Sequence, residues 1–217
     1  MQKQSKDFIP ALRFHWLTAF YDSIVAWTCR ENVFKSRLLA QAAITENQQI
    51  LDIGSGTGTL AIQIKKRIKS TSVTGIDADE HIILIAQQKA RLLELDIKFL
   101  CGMSFDMPFD ENRFDRCVSS LLFHHLSLKN KELTFQEAYR VLKLNGEIHV
   151  ADWGKPTSFI MRGLFYIIQV IDGFETTSDN VNGVLPHLME DAGFVEVKIN
   201  ETISTPLGTI TLYSGKK

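Results

Sequence analysis

Apolar and polar positions alternate along this chain in blocks that change period. Ile50, Leu51 and Ile53 form a short continuous apolar run, while Leu60, Ala61, Ile64 and Ile68 recur at helical spacing just beyond it. Ser72-Val-Thr-Gly-Ile-Asp77 is again strand-like. The pattern predicts strands near Gln49, Ser72, Asp96, Phe114 and Gly146, with helices between them, and earlier helices over Leu12 to Cys29 and Val33 to Ala43. Such alternation predicts a parallel, doubly wound α/β sheet. Two final runs, Phe194 to Asn200 and Gly208 to Ser214, are joined by Thr205-Pro-Leu-Gly208, whose turn residues predict a hairpin with one strand antiparallel to the rest. No linker or internal repeat divides the chain, so residues 1–217 are expected to form a single domain.

Between the first strand and its helix stand Gly54, Gly56 and Gly58, directly after Asp52. Glycines there let the backbone turn sharply and come close to a ligand, where side chains would exclude it. The spacing alone also suits a tight strand-to-helix turn in any α/β protein. The second acid, Asp77, closes the next strand, where a carboxylate can accept hydrogen bonds from both ribose hydroxyls of a nucleotide. In sheets of this kind ligands bind outside the carboxyl ends of the strands at the switch point, between the first and fourth strands here, which predicts that Gly54 faces Ser119 to His124.

These segments resemble the class I S-adenosylmethionine (SAM)-dependent methyltransferases, and among them the small-molecule enzymes similar to those of ubiquinone and menaquinone biosynthesis. Leu51-Asp-Ile-Gly-Ser-Gly-Thr-Gly58 is similar to the family's first motif, Gly75-Ile-Asp77 to its ribose loop and Gly102-Met-Ser-Phe-Asp-Met-Pro-Phe109 to its adenine loop. Phe114-Asp115, Arg140 to Gly146 and Gly193-Phe194 follow in the family's order. The resemblance implies a Rossmann-like, seven-stranded, mostly parallel sheet with an antiparallel C-terminal strand. It also implies a helical N-terminal lid over residues 1–45 and a substrate-side insert over 155–180. It implies SAM as cofactor, held by Asp52, Gly54, Ser55, Gly56, Asp77, Ala78, Met103, Ser104 and Ser119. Met103 departs from the pattern, standing where relatives often carry an aspartate; its thioether packs on the purine or is an ordinary core methionine.

Methyl transfer is an in-line displacement that needs alignment more than a dedicated triad. Where a base assists, the His124-His125 pair at the predicted end of the fourth strand is best placed, with His124 the candidate and divergent side chains allowing only one imidazole to face the site. Tyr21, Trp153 and Phe159 are the candidate substrate contacts, and Tyr21-Asp22 with Arg30-Glu31 resembles patterns in quinone-precursor-methylating relatives. Phe14, Trp16 and Phe20, with the apolar stretch Gly163 to Ile171, make the expected roof aromatic and aliphatic. A hydrophobic or aromatic acceptor follows if they form a lid.

Composition narrows the partners. A net charge of −1 gives no electrostatic basis for nucleic-acid binding, and Lys65-Lys-Arg67 reads as a solvated helix face. Cys29, Cys101 and Cys117 lack metal-ligand spacing and read as free, mostly buried thiols, with no metal site. His15, His81, His149 and His187 are scattered and read as structural or exposed. No signal peptide or membrane-spanning run is evident, so a cytoplasmic monomer or homodimer acting on a small molecule is expected. Two rivals share the glycine loop. One is a non-catalytic SAM-binding module; the other is a nicotinamide-dependent dehydrogenase, whose fingerprint needs a glycine where Thr59 stands.

Overall fold

Strand β1 (Gln49–Ile53) is buried along nearly its whole length, as a central parallel strand covered on both faces must be. In the computed structural model, which describes residues 30–156, 163 and 174–217, it is flanked by β2 (Ser72–Asp77) on one side and β4 (Phe114–Ser120) on the other. Strands β3 (Ile97–Cys101), β5 (Leu142–Trp153), β6 (Val195–Thr205) and β7 (Gly208–Lys216) complete a seven-stranded sheet of order β3-β2-β1-β4-β5-β7-β6. The order reverses between β1 and β4, the predicted switch point. Only β7 runs antiparallel, pairing with β5 and β6. The turn Pro206-Leu207 joins its hairpin, and Thr205 Oγ1 closes it by donating to the Gly208 carbonyl.

Helices α1 (Glu31–Ala42), α2 (Thr59–Arg67) and α3 (Glu80–Leu92) pack on one face of the sheet, where Phe34, Leu38, Leu60, Ile64 and Ile83 join Ile50 and Val73 in one core. Helices α4 (Leu128–Val141) and α6 (Leu185–Asp191) cover the other, where Phe135, Val141 and Leu185 meet Leu51 and Ile53. The alternation of Ile50 and Leu51 between the two cores follows from the two-residue repeat of a strand. Local chemistry starts the helices. Asp79 accepts from the His81 and Ile82 amides at the start of α3, and Ser127 accepts from Asn130 at the start of α4.

Several expectations are corrected in detail. Strand β5 begins at Leu142, directly after α4, and accommodates the left-handed Asn145 (φ 64°) through a register shift against β4. Strand β4 stops at Ser120, so His124 and His125 lie beyond it, in a 3-10 turn (Phe123–His125). In that turn the two rings do not diverge; their centroids stand 3.9 Å apart. Cys117 is buried but Cys101 is exposed, because it closes β3 at the sheet's edge, beyond the buried Phe99. The predicted helix Leu12 to Cys29, the residues His15 and Cys29 and the roof residues Phe14, Trp16, Phe20, Tyr21 and Phe159 fall outside the described residues. Within the expected insert, helix α5 (Phe174–Asn182) is described and packs on the 3-10 turn.

Candidate active site

The loop from Gly54 to Gly58 carries three left-handed glycines, with φ of 69°, 51° and 79°. They serve different ends. A Cβ on Gly54 would stand 2.8 Å from the Leu122 side chain, and one on Gly58 would stand 2.7 Å from Phe99, so both are bare to let the protein pack on itself. A Cβ on Gly56 would meet nothing within 4 Å. Gly56 therefore borders open volume, and the Leu122 contact brings the loop after β4 against it, as the switch-point argument requires.

Asp52 lies just beneath this loop and is fully buried; among the described residues neither carboxylate oxygen has a well-formed hydrogen bond, the Ala61 amide being near enough only to lower its pKa. Desolvation pushes its pKa up to about 7 against the pull of the Lys35 ammonium, a nearly buried cation of α1 that also pairs with Glu31. The Ser55 hydroxyl is likewise buried without a partner. Buried polar groups are normally satisfied, so an orphaned carboxylate and hydroxyl beside open volume mark a place shaped for a polar ligand.

At the end of β2, Asp77 accepts from the Gly56 amide at 2.9 Å and from the Asp79 amide at 3.1 Å. Burial raises its pKa, and those amides oppose the rise. The carboxylate thus tethers the glycine loop, and each oxygen keeps lone-pair capacity for a further donor. Ala78 follows, partly exposed, its carbonyl facing the Cys101 thiol. Ser104 is anchored through its hydroxyl to Thr134 of α4 at 2.9 Å, and Met103 beside it is half-buried. The loop carrying both is braced by Glu137, which accepts from the Met107 amide, and by Arg140, which donates to the Met107 and Phe109 carbonyls. Ser119 is spent on structure: it is fully buried and its hydroxyl donates to the Ile53 carbonyl at 2.8 Å, clamping β4 to β1.

Residues 50–146 match a family model described as a methyltransferase domain. Along its whole length the chain is 26% identical to the ubiquinone/menaquinone biosynthesis C-methyltransferase of Shewanella pealeana, covering 94% of that protein. It is also 26% identical to the demethylmenaquinone methyltransferase of Porphyromonas gingivalis, over 94% of this chain and 91% of that one. The chain is thus similar, over most of its length, to class I SAM-dependent methyltransferases. The same fold is seen in a SAM-dependent methyltransferase from Methanosarcina mazei (TM-score 0.66, 21% identity, 82% of this chain and 96% of that one). It recurs in another from Aquifex aeolicus (TM-score 0.61, 20% identity, 84% and 87%). These likenesses support SAM as the cofactor and a small molecule as the methyl acceptor.

On the β5 side of its switch point the protein carries a second polar cluster. Asp152, fully buried near the end of β5, accepts from the Phe123 amide, His124 Nδ1, the Trp153 amide and Asn180 Nδ2. Trp153 is itself 2% exposed, with its ring edge-on to His124 at 6.4 Å. Lys131 of α4, also fully buried, pairs with Asp179 of α5 at 3.2 Å. Neither Asn180 nor Lys131 was legible as a site residue, because each is one polar side chain on a helix and only packing brings them together. The remaining described histidines are structural or exposed. His149 is buried between Gln41 and Glu147, with burial pushing it down to about 4, and His81 and His187 face solvent.

Among the described residues no group of three or more His, Cys, Asp or Glu is placed to hold a metal, and no helix is long and apolar enough to cross a membrane.

Proposed function

We propose that this protein is a SAM-dependent methyltransferase that acts on a small hydrophobic, aromatic acceptor of the quinone-precursor class, in the cytoplasm, as a monomer or homodimer without a nucleic-acid partner. The acceptor class is supported by the two full-length relatives, whose names place them in menaquinone and ubiquinone biosynthesis. The cofactor site is supported above all by one observation, the orphaned Asp52 carboxylate buried at the carboxyl end of β1 beside the open volume at Gly56. In this reading Asp52 receives the cofactor's ammonium group and Gly56 borders its ribose. Ser55 supplies a hydroxyl, Asp77 accepts from the ribose hydroxyls, and Ala78, Met103 and Ser104 border the adenine. Bound there, SAM supplies a methyl group activated by the sulfonium; the protein's share is alignment and exclusion of water. Gly54 also brings Leu122 against the loop and Ser119 ties β4 to Ile53 of β1, so both, proposed here as cofactor neighbours, shape the site as well.

The deciding experiment offers the purified protein methyl-labelled SAM together with a short-chain demethylmenaquinol or a polar catechol. Label in the quinol supports the reading. Label only in the catechol, or in neither, removes the proposed acceptor class.

Two further results are expected of the cofactor site. Asp77→Ala weakens S-adenosylhomocysteine binding by about 1–3 kcal/mol, since charge-assisted hydrogen bonds and the tether to the Gly56 amide are lost together. Calorimetric titration reads this directly, and unchanged affinity would make Asp77 a turn residue only.

The second concerns pH. With Asp52 pushed up to about 7, its carboxyl is largely protonated at pH 6 and must ionise to pair with an ammonium ion. Affinity for S-adenosylhomocysteine should therefore rise about tenfold from pH 6 to pH 8, and Asp52→Asn should flatten the dependence. Stability runs the opposite way. A carboxyl whose folded pKa lies above its unfolded value favours the fold when protonated, and that contribution is lost as pH climbs from about 4 through 7.

A further inference from the structure

We propose that the methyl acceptor carries an acidic proton, on its reacting atom or on a hydroxyl conjugated with it, and that His124, oriented by Asp152, is the base that removes it. This rests on the acceptor lying at the carboxyl ends of β4 and β5, next to the cofactor site described above.

An ionised carboxylate only accepts, through about four lone-pair positions. Asp152 meets four donors: the Phe123 amide at 2.7 Å on one oxygen, and on the other His124 Nδ1 at 2.8 Å, the Trp153 amide at 2.8 Å and Asn180 Nδ2 at 3.0 Å. A carboxylate so occupied is a poor proton acceptor for a substrate but a firm anchor for an imidazole. Because it cannot donate, Nδ1 of His124 carries the hydrogen, and proton exchange with a bound molecule falls to Nε2. The same carboxylate grips the backbone of the turn through Phe123, so ring and backbone are held by one group.

Position points the same way. Leu122, the residue before the turn, packs against Gly54 of the glycine loop, which puts the turn at the switch point. His124 is 2% exposed, so bulk water has little access to its ring. Of the two histidines it alone is paired with a carboxylate among the interactions described; His125, 3.9 Å away, is pushed well below its ordinary pKa by burial and by His124, and stays neutral. Among the described residues, charged or titratable groups near the pair include Lys131 of α4, Asp179 of α5 and Tyr213 of β7; Lys131 and Tyr213 both sense the charge on Asp152.

In the step so described, a hydroxyl proton of the acceptor passes to Nε2 of His124, and the electron pair released forms the new bond to the methyl carbon, from the oxygen itself or, through the ring, from a conjugated carbon that afterwards loses its own proton to restore aromaticity. The methyl–sulfur bond breaks with its pair remaining on sulfur, giving S-adenosylhomocysteine, and the imidazolium later returns its proton to water. The acceptor is therefore a hydroxyl or a hydroxyl-activated aromatic carbon, such as a hydroquinone presents, and not a tertiary amine.

The test pairs kinetics with a spectroscopic readout. In single-turnover reactions with SAM and a short-chain demethylmenaquinol, His124→Asn is expected to slow methyl transfer at least about 100-fold and to abolish the acid limb of the pH–rate profile. S-adenosylhomocysteine affinity should stay within about twofold, since His124 contributes to proton removal and not to cofactor binding. In nitrogen-15 NMR of the intact protein, neutral His124 is expected as the Nδ1–H tautomer, with a pKa lowered in Asp152→Asn. A wild-type rate or an unchanged pH profile in His124→Asn overturns the proposal, as does an Nε2–H tautomer. Should the wild type methylate no quinol, the acceptor class fails and the spectra alone decide whether His124 is poised as a base.

Discussion

Gly56→Val leaves the protein folded and removes S-adenosylhomocysteine binding, with affinity falling more than about 100-fold, or about 2.8 kcal/mol at 1.4 kcal/mol per decade. The loop geometry separates the two effects. Gly56 sits at φ 51°, and a Cβ there meets no atom of the described residues within 4 Å, so the branch point itself enters open volume. The left-handed backbone costs about 1–2 kcal/mol, which for a chain of this size lowers the melting temperature by about 5 °C. The branched side chain fills the volume beside the orphaned Asp52 and Ser55, where a bound cofactor must lie. Gly54→Val is the internal contrast: its Cβ runs into Leu122 at 2.8 Å, so the damage is to packing and shows first as lost stability. Calorimetry and thermal melts on both variants check this. Full binding by Gly56→Val would remove the cofactor from this loop.

Asp152→Ala lowers the stability of the whole protein by about 3–5 kcal/mol, seen as a drop of roughly 10 °C in melting temperature or as a matching shift in urea midpoint. The carboxylate is fully buried and satisfies two backbone amides and two side chains from three separate elements, the 3-10 turn, β5 and α5. Removing it strands four donors, and each buried unsatisfied donor costs about 1–3 kcal/mol before water or rearrangement recovers part of the loss. Asp152→Asn recovers less than half of the loss, since an amide accepts through one oxygen only. A near-neutral effect of Asp152→Ala would show that the turn is held by packing alone, through the stacked rings of Phe123 and Phe135 with centroids 4.3 Å apart.

Much of this architecture is written in local chemistry. The apolar run Ile50 to Ile53, three alternating glycines and an acid closing each of the first two strands are short-range signals, and they specify a βαβ unit whose parallel strands must be buried on both faces. The hairpin Thr205 to Gly208 is equally local, and so are the caps Asp79 and Ser127. That is why the strand set, the antiparallel β7 and the switch point between β1 and β4 could be anticipated from residue order.

What each glycine is for could not be. Spacing treats Gly54, Gly56 and Gly58 alike, yet only tertiary contacts show that two make room for Leu122 and Phe99 while one opens onto empty volume. The same holds for the polar residues. Ser119 looks like a ligand contact until β1 supplies the Ile53 carbonyl, and the two histidines look divergent until β4 ends early and a 3-10 turn brings their rings together. Asp152 gathers Phe123 and His124 from 29 and 28 residues before it and Asn180 from 28 after. Sequence order determined the fold and the cofactor class, because backbone turns and strand burial depend on near neighbours. Which carboxylate is left unpaired and which is saturated was decided only when the sheet closed, because hydrogen bonding and desolvation depend on groups far apart in the chain.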